Sequence, residues 1–549
     1  MELLANGRSA LLSFQRALAV TSHNISNVNT EGFTRQEISF SSRIAGQSQF
    51  NAGYGAGVEV GTVERAYDKY LNRDMQEQKS LYTGADNYTR FANEIDDLFA
   101  NSETGLAVQS QDFFRSIQAV ASDPTSIAER QTLVSDAQMM TSRFREIDDR
   151  IDNVKTTTDG MIRDAVSDVN LYAKQVAELN NKIMNQGSNG QTPNDLMDQR
   201  DLLISKIGEQ LNVTTIEMPD HTTSVFVGNG NSLVRGGVNY SMSTAPSKEY
   251  GYNQLGIFID GKNTSSEITP QVTSGTAGGL LQFQRDILTP ADNRVGRMAA
   301  VLGQEFNQQY AQGWDLNGDP GIANFFNIEQ PVATVMNGGS TMTATFLDDT
   351  SQLEASNYTM RYDGSSWEMT RMSDGKAVSF TGTGSAGDPI LAEGLSIVTA
   401  GAPTSGDVVL IQPYRDMSAK FTTNVTDPRA IAASQTDPAV DAGSFGDNTN
   451  MLALFQLQET RLFDKGQTTF DGAYGHIVAE VGNKAAVAQS SLSARKIIYE
   501  QAVNAREMRS GVNLDEEAAN LMRYQQAYIA AAKVMSAADE MFQSLINNV

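Results

Sequence analysis

Residue types that usually carry catalysis or hold a metal are sparse in this sequence. The 549-residue chain has no cysteine, which excludes thiol nucleophiles, disulfides and zinc–thiolate sites. Its three histidines, His23, His221 and His476, lie in different segments, and none has a second ligand at helical spacing. Neither an HExxH pair nor a GxSxG nucleophile turn occurs. We therefore expect surface or hydrogen-bonded roles for the histidines.

One acidic cluster begins like a calcium-binding loop. Asp315, Asn317 and Asp319 have the spacing of the first three EF-hand ligands. Pro320 stands where that loop requires glycine, and Phe326 where it requires the bidentate glutamate. The cluster is therefore predicted to be a polar turn.

A glycine cluster has the spacing of a phosphate-binding loop without its context. Gly53, Gly55 and Gly57 read GxGxG, yet no buried strand precedes them and no helix N-terminus follows. No catalytic group, metal ligand set or cofactor site remains. The sequence predicts a protein that is not an enzyme and needs no cofactor.

The composition excludes further classes of protein. Forty-one basic and 65 acidic side chains give a net charge of -24, which opposes binding to nucleic acid. The apolar residues of positions 1–20 are interrupted by polar ones, and no stretch approaches the roughly 18 apolar residues of a membrane span. At roughly 150 residues per domain, the length predicts three or four folding units.

Both ends of the chain carry heptad stripes typical of coiled-coil helices. The C-terminal helix is expected to begin with Asn513 as N-cap and Glu516 as its capping partner. The stripes either dock on the protein's own core or pair mainly on assembly, and periodicity leaves both interpretations open. The predicted assembly seam consists of Leu4, Leu11, Phe14, Leu18, Leu514, Leu521, Tyr524, Tyr528, Met535, Phe542 and Leu545.

Between the ends, segments with the apolar spacing of helices are followed by segments with the period-2 spacing of β-strands, and the two kinds succeed each other along the chain. Apolar spacing predicts a helical rod over 140–183, with partner helices near the other end of the chain. Short alternating runs predict β blocks, in which Tyr358–Tyr362 and Trp367–Met372 form a hairpin. The fold class is multidomain α+β, with β-rich domains inserted into a helical frame. The expected divisions are 1–50, an axial helix and Asn-rich segment; 51–212, helical rod; 213–270, β-rich; 271–327, helical return; 328–415, inserted β domain; 416–493, helical rod; and 494–549, an axial helix.

Two terminal segments resemble bacterial flagellar axial proteins. SHNISNVNTEGFTRQ, Ser22–Gln36, is similar to the N-terminal signature of rod, hook and hook-associated subunits. SGVNLDEEAANLMRYQQAY, Ser510–Tyr528, resembles the ending of the flagellar hook-associated protein 1 family. The likeness is strong over 1–40 and 420–549. The signature positions it marks are Asn24, Asn27, Asn29, Gly32 and Phe33.

This resemblance implies a structural subunit at the junction between hook and filament, with paired terminal helices as an axial core. The implied partners are other copies of the chain, the hook protein, the next junction protein and a cytoplasmic export chaperone. It also implies unfolded type III export from the cytoplasm to the extracellular flagellum. The chaperone would cover the C-terminal stripe, for which the candidates are Leu521, Tyr528, Met535 and Phe542.

Other functions stay open at this point. The chain is alternatively another axial subunit, such as a hook protein. A β insert that carries an enzymatic or surface-binding module, for example for glycans, is an alternative of a different class.

The ends of the chain differ from the middle in net charge. Residues 1–50 and 494–549 together carry ten basic and ten acidic side chains. The whole net charge therefore lies in the middle of the chain.

Overall fold

The computed structural model describes residues 2–42, 57–100, 105–187, 192–228, 230–247, 255–260, 265–437, 440–441 and 443–547. Gly53 and Gly55 of the glycine cluster lie outside these ranges. The helices are α1 Glu2–Ser26, α2 Lys69–Ala100, α3 Leu106–Ser122, α4 Ile127–Gly187, α5 Asn194–Gln210, α6 Gly275–Phe283, α7 Thr289–Tyr310, α8 Thr449–Gln456, α9 Phe470–Ser510 and α10 Leu514–Asn547.

The strands form small antiparallel sheets between and beside the helices. Their pairing orders are β1-β2, β3-β4-β5-β6, β7-β8-β9, β10-β19, β11-β18-β13-β14-β15 and β12-β17-β16. Their bounds are β1 Gln36–Ser42, β2 Val58–Arg65, β3 Val213–Glu217, β4 Thr223–Val227, β5 Asn231–Arg235, β6 Val238–Asn239, β7 Met242–Pro246, β8 Leu255–Asp260, β9 Ser265–Glu267, β10 Phe326–Asn327, β11 Val332–Asn337, β12 Thr341–Phe346, β13 Tyr358–Tyr362, β14 Trp367–Arg371, β15 Ala377–Val378, β16 Ile390–Ala392, β17 Leu395–Ala400, β18 Val408–Gln412 and β19 Thr422–Thr423.

Helices α2 to α9, with the sheets of β3 to β9, make a helical body. Within it α2 and α9 run antiparallel, since Tyr82 stacks on Tyr499 while Tyr474 donates a hydrogen bond to the Phe99 carbonyl. The 61 residues of α4 extend for about 90 Å. It packs chiefly against α3 and α5. The expectation that its main partners come from the other end of the chain is therefore wrong, because α4 makes its main contacts with α3 and α5, the helices that flank it in sequence.

Strands β11 to β18 form the β insert, which returns to the body beside its point of departure. The short β10 and β19 pair at this neck. Phe326 stacks on Phe421 and contacts Phe306, so aromatic packing joins the neck to α7. The predicted hairpin of β13 and β14 is confirmed, with Tyr362 opposite Trp367. Asp363 closes its turn by accepting the Ser366 backbone N–H.

The acidic cluster is the polar turn that the sequence predicts. The Asp315 carboxylate accepts the backbone N–H groups of Asn317, at 2.8 Å, and Asp319, at 2.9 Å. Over the described ranges, no three acidic or histidine side chains converge on a point that could hold a metal ion. None of the helices in those ranges is both long and apolar enough to cross a membrane.

Glycine contact sets the spacing between α2 and α6. A Cβ added at Gly279 would overlap the carbonyl oxygen of Gly84, so the two backbones touch directly. Gly160, in the middle of α4, has no neighbouring atom within 4 Å of its hypothetical Cβ. The same residue type is therefore required at one helix position and dispensable at the other.

We predict opposite effects for two alanine substitutions. Gly279→Ala should destabilise the helical body by about 1–3 kcal/mol, because the added methyl group forces α6 away from α2. Gly160→Ala should stabilise it by about 0.5–1 kcal/mol, because alanine loses less backbone entropy in a helix. Thermal unfolding followed by circular dichroism measures both. A Gly279→Ala protein that melts at or above the parent temperature would refute the packing argument.

Candidate functional site

The first and last helices of the chain pair with each other. Helix α1 lies antiparallel to α10, so the interpretation in which the stripes dock within the chain holds for this inner face. A Cβ at Gly7 would lie 2.8 Å from the Met535 Cγ, so a larger residue there would force the Met535 side chain to shift. Small residues permit this close approach. The innermost residues of this terminal helix pair, each less than a tenth exposed, include Ser13, Ala17, Thr21, Ala531 and Ala538.

The predicted seam residues lie beside this innermost line rather than on it. Leu4, Leu11, Phe14 and Leu18 are half-buried, as are Leu521, Tyr524 and Met535. Three further seam residues are exposed on α10, namely Leu514, Tyr528 and Phe542. The side chain of Leu545 lies outside the described part of the chain. The heptad stripes pass through Gly7, Thr21, Ala531 and Ala538, but the predicted seam was restricted to larger apolar residues. Ser13 and Ala17 lie outside those heptads and were missed.

An aromatic row connects the terminal helix pair to the β1–β2 hairpin. The Phe40 ring lies 6.0 Å from the Phe14 ring on one side and 6.1 Å from the Tyr524 ring on the other. The hairpin therefore contacts both helices. Its strands were not predicted, because polar residues dominate β1 and the glycine-rich segment before β2 gives no alternation.

The Asn-rich signature segment ends α1 and turns the chain back. Asn24 is 1% exposed and clamps the backbone of Gln36: its Nδ2 donates to the Gln36 carbonyl and its Oδ1 accepts the Gln36 N–H, both at 2.9 Å. Asn27 donates to the His23 carbonyl and accepts from the Thr30 hydroxyl. Asn27 thus binds a carbonyl at the end of α1, whereas Asn24 satisfies the backbone groups of the first residue of β1.

The remaining signature residues shape and cover this turn. Gly32 adopts a φ of +80° with Leu202 against it, so a side chain there would be strained and crowded. Phe33 is half-buried and meets the His23 ring edge-on at 5.4 Å. Asn29 is exposed at the tip. The structure therefore brings Asn24, Asn27, Gly32 and Phe33 into one turn but assigns no packing role to Asn29.

The other two histidines are far less engaged than His23. His221 occupies a tight turn at φ 62°, where its carbonyl accepts a hydrogen bond from Arg200 at 2.7 Å. The largely exposed His476 lies 3.7 Å from Asp464. His23 itself approaches Asp195 at 3.4 Å. These are the hydrogen-bonded and surface roles expected from the sequence.

Buried ion pairs fix the hairpin to the helical body. The Arg65 guanidinium binds Asp198 and Asp201 at 2.8 Å each, and Asp198 also accepts the Thr34 backbone N–H. Burial raises the pKa of Asp198, while the hydrogen bond and charge of Arg65 lower it less. Burial lowers the pKa of Arg65, but attraction to Asp201 and Asp198 outweighs burial and leaves that pKa raised. Arg65 therefore stays charged and holds two acidic groups together.

A second ion-pair group joins the two ends of the chain. Arg35 binds Glu517 at 2.8 Å and Glu516 at 3.0 Å, and the Glu517 side chain is only 2% exposed. The Arg35 backbone N–H donates to the Ser510 carbonyl, and the Ser510 hydroxyl donates to the Ala66 carbonyl. Segments that lie far apart in sequence thus share one hydrogen-bonded node. We call Asn24, Arg35, Arg65, Asp198 and Glu517 the junction network.

The N-cap of α10 matches the prediction only in part. Asn513 accepts the backbone N–H groups of Asp515 and Glu516, so its capping role is confirmed. The Glu516 carboxylate turns to Arg35 instead of completing a capping box. Glu517 was missed, although an acidic residue on the inner stripe of α10 is itself a signal that a cationic partner faces it.

The two glutamates provide a matched pair for testing this node. Glu517→Ala should destabilise the terminal helix pair by about 3 kcal/mol, because it leaves the mostly buried Arg35 without its inner partner. Glu516→Ala removes the same charge from an exposed position and should cost at most about 1 kcal/mol. Hydrogen exchange of α1 and α10 measures the difference. Equal protection in the two variants would show that the buried pair is not the fastening contact.

Four family models match separate stretches of the chain. A flagellar hook-associated protein FlgK helical domain covers residues 92–326, and a flagellar hook-associated protein 1 D2-like domain covers 332–413. The termini match two further models, flagella basal body rod protein over 4–34 and flagellar basal body rod FlgEFG protein C-terminal over 508–548. The models that match the ends are thus those of flagellar basal body rod proteins.

Curated relatives and a solved structure agree with these matches. The flagellar hook-associated protein 1 of Escherichia coli (strain K12) is 31% identical over 554 residues, 99% of each chain. That of Bacillus subtilis (strain 168) is 24% identical, covering 100% of this chain and 98% of its own. The flagellar hook junction protein FlgK from Burkholderia pseudomallei shares the fold, with a TM-score of 0.73 and 22% identity over 79% of this chain and 99% of its own. The chain belongs to the flagellar hook-associated protein 1 family.

Proposed function

We propose that this chain is a structural subunit of the bacterial flagellum at the junction between hook and filament, and that its terminal helix pair is the element through which it assembles. The family membership supports the first statement, and the geometry of α1 and α10 supports the second. Its role is mechanical, and the junction network supplies the rigidity that such a role needs.

The observation that carries the assembly role is apolar surface left over after α1 and α10 have paired. The residues concerned are Leu12, Met522, Ile529, Val534, Met541, Phe542 and Ile546, each between 46% and 60% exposed. Monomeric proteins rarely leave such surface uncovered. Neighbouring copies of the same helix pair would bury it, as helices do in coiled-coil assemblies.

The partners follow from this geometry and from the family. We infer contacts with other copies of the chain, with the hook protein on one side and with the next junction protein on the other. We also infer that the chain leaves the cytoplasm unfolded through the flagellar type III apparatus and functions outside the cell. A chain without cysteine suits that route because it cannot form cross-links before export.

An export chaperone is the proposed cytoplasmic partner. Of the four candidate contact residues, Tyr528 and Phe542 are exposed on α10, whereas Leu521 and Met535 are half-buried beside α1. A chaperone that reaches all four must bind α10 before α1 pairs with it. Binding of the chaperone and pairing with α1 would then exclude each other.

Deletion of the gene distinguishes the junction role from that of a hook subunit. Loss of a junction protein should leave hooks of normal length and release flagellin monomers into the medium, because the filament has no base on which to grow. Electron microscopy of the cells and gel analysis of the medium measure both. Cells without hooks would identify the chain as a hook subunit instead.

Phe542→Asp should abolish incorporation into flagella while leaving the monomer folded, since it places a charge on exposed apolar surface. Gln543→Asp adds the same charge at the adjacent exposed position and should support normal swimming. Motility in soft agar and circular dichroism of the purified proteins measure the two properties. Normal motility of Phe542→Asp would remove α10 from the assembly interface.

A further inference from the structure

A small polar cavity lies where the β insert meets the helical body. Its volume is about 40 Å³, room for no more than a few water molecules. It is bounded by α4, by the first turn of α7, by a π-helical segment over Gln284–Leu288 and by the end of β18. Its polar lining includes Lys155, Gln284, Asp292 and Gln412.

Two oxygen atoms in this lining lack a hydrogen-bond donor. Gln284 is 2% exposed and Gln412 is 1% exposed, and neither Oε1 accepts a hydrogen bond within the described part of the chain. The orientation of Gln284 is fixed, because its Nε2 donates to Thr158 Oγ1 at 2.7 Å and to Asp159 Oδ1 at 2.8 Å. Buried acceptors without partners are rare in folded proteins. We therefore expect a hydrogen-bond donor in the cavity.

Asp292, which is half-buried, lines the same cavity. The charges that act on it come from α4, in Asp148, Asp152 and Lys155, and from the turn after β18, in Asp416. Burial, followed by the negative charge of Asp148, raises the pKa of Asp292 to about 7, and only Lys155 acts in the opposite direction. Burial, together with Asp152, likewise raises the pKa of Asp148 to about 6.

The two cations near the cavity do not neutralise Asp292 directly. Within the described residues, Asp292 has no ion pair shorter than 4 Å, although Lys155 and Arg415 both contribute to the lining. Arg415 is directed to its neighbour Asp416, 3.9 Å away. A proton is therefore the simplest means of removing the charge of Asp292.

We propose that Asp292 is a proton-dependent clasp. In its protonated form it donates its O–H to the unpartnered oxygen of Gln412, and so ties α7 of the helical body to the end of β18. Loss of the proton leaves the Gln412 oxygen unsatisfied and places a negative charge beside Asp148 and Asp416. The clasp then opens.

The turn that follows β18 is the segment on which the clasp acts. Tyr414 packs against Gly296 of α7, where an added Cβ would lie 2.6 Å from the Tyr414 Cβ. Asp416 adopts a left-handed backbone at φ 56°, which is strained for this residue. The Ala419 backbone N–H donates to Asp148. Repulsion among the ionised carboxylates should loosen this turn first.

The sign of the pH dependence follows from the proton balance. Folding raises the proton affinity of Asp292, so its contribution to stability is fully present in acid and is lost as the pH rises through about 7. The clasp holds in mildly acidic solution and opens in alkaline solution. The β insert should then move more freely on the body.

Hydrogen exchange of the intact chain tests the clasp in a peptide that covers residues 413–421. Protection, corrected for the intrinsic rate, should fall about tenfold between pH 6 and pH 8.5, the factor that one pKa unit represents. Asp292→Asn carries a permanent N–H donor and should stay protected at both pH values. Asp292→Leu has no donor and should be unprotected at both. Asp164→Asn, a change at an exposed site of α4, should behave as the parent.

Three results would overturn the proposal. The first is protection in the parent that does not change with pH. The second is an Asp292→Asn protein that responds to pH as the parent does, or is unprotected at both values, since the ionised carboxylate would then be the structural form. The third is recovery at pH 8.5 in sodium or potassium chloride but not in tetramethylammonium chloride of equal ionic strength, which would assign a metal ion to the cavity instead of a proton.

Discussion

The rest of the fold depends on one closure, in which the beginning of the chain binds its end. Arg35 and Glu517 are 482 positions apart, yet they share a buried ion pair beside backbone hydrogen bonds that link Arg35 to Ser510 and Ala66. The chain between these two residues therefore begins and ends at the same place in the fold. The chain enters and leaves the helical body beside this node. It enters and leaves the β insert in the same way, at the neck formed by β10 and β19.

Charge is distributed to suit this nested arrangement. The terminal segments carry equal numbers of basic and acidic side chains, so copies of α1 and α10 can lie side by side without net repulsion. The entire charge of -24 resides in the middle of the chain, which contains the body and the β insert. Its density there adds to a local effect: where α4, α7 and the turn after β18 converge, burial raises the pKa of Asp292 and Asp148, and neighbouring carboxylates raise it further.

Periodic features could be predicted from the sequence, and contacts across long separations could not. The heptads of α10, the hairpin of β13 and β14 and the turn at Asp315 depend on neighbouring residues, and all three occur. The partners of α4 were predicted wrongly, because an apolar stripe says that a partner exists without saying which one. The residue types of Asn24, Asn27, Asn29 and Gly32 favour a turn, and the resemblance marks the same positions. The clamp of Asn24 on the Gln36 backbone was not predicted.

The pairing of α1 with α10 also makes each of these helices depend on the other. Closing so long a loop costs conformational entropy, which the packing of α2 on α9 and of α1 on α10 offsets. A chain that stops before α10 keeps α1 without its partner and cannot form the node at Arg35. Truncated copies would then lack the surface through which we propose that the chain assembles, and they would fail to join the growing structure without any separate means of inspection.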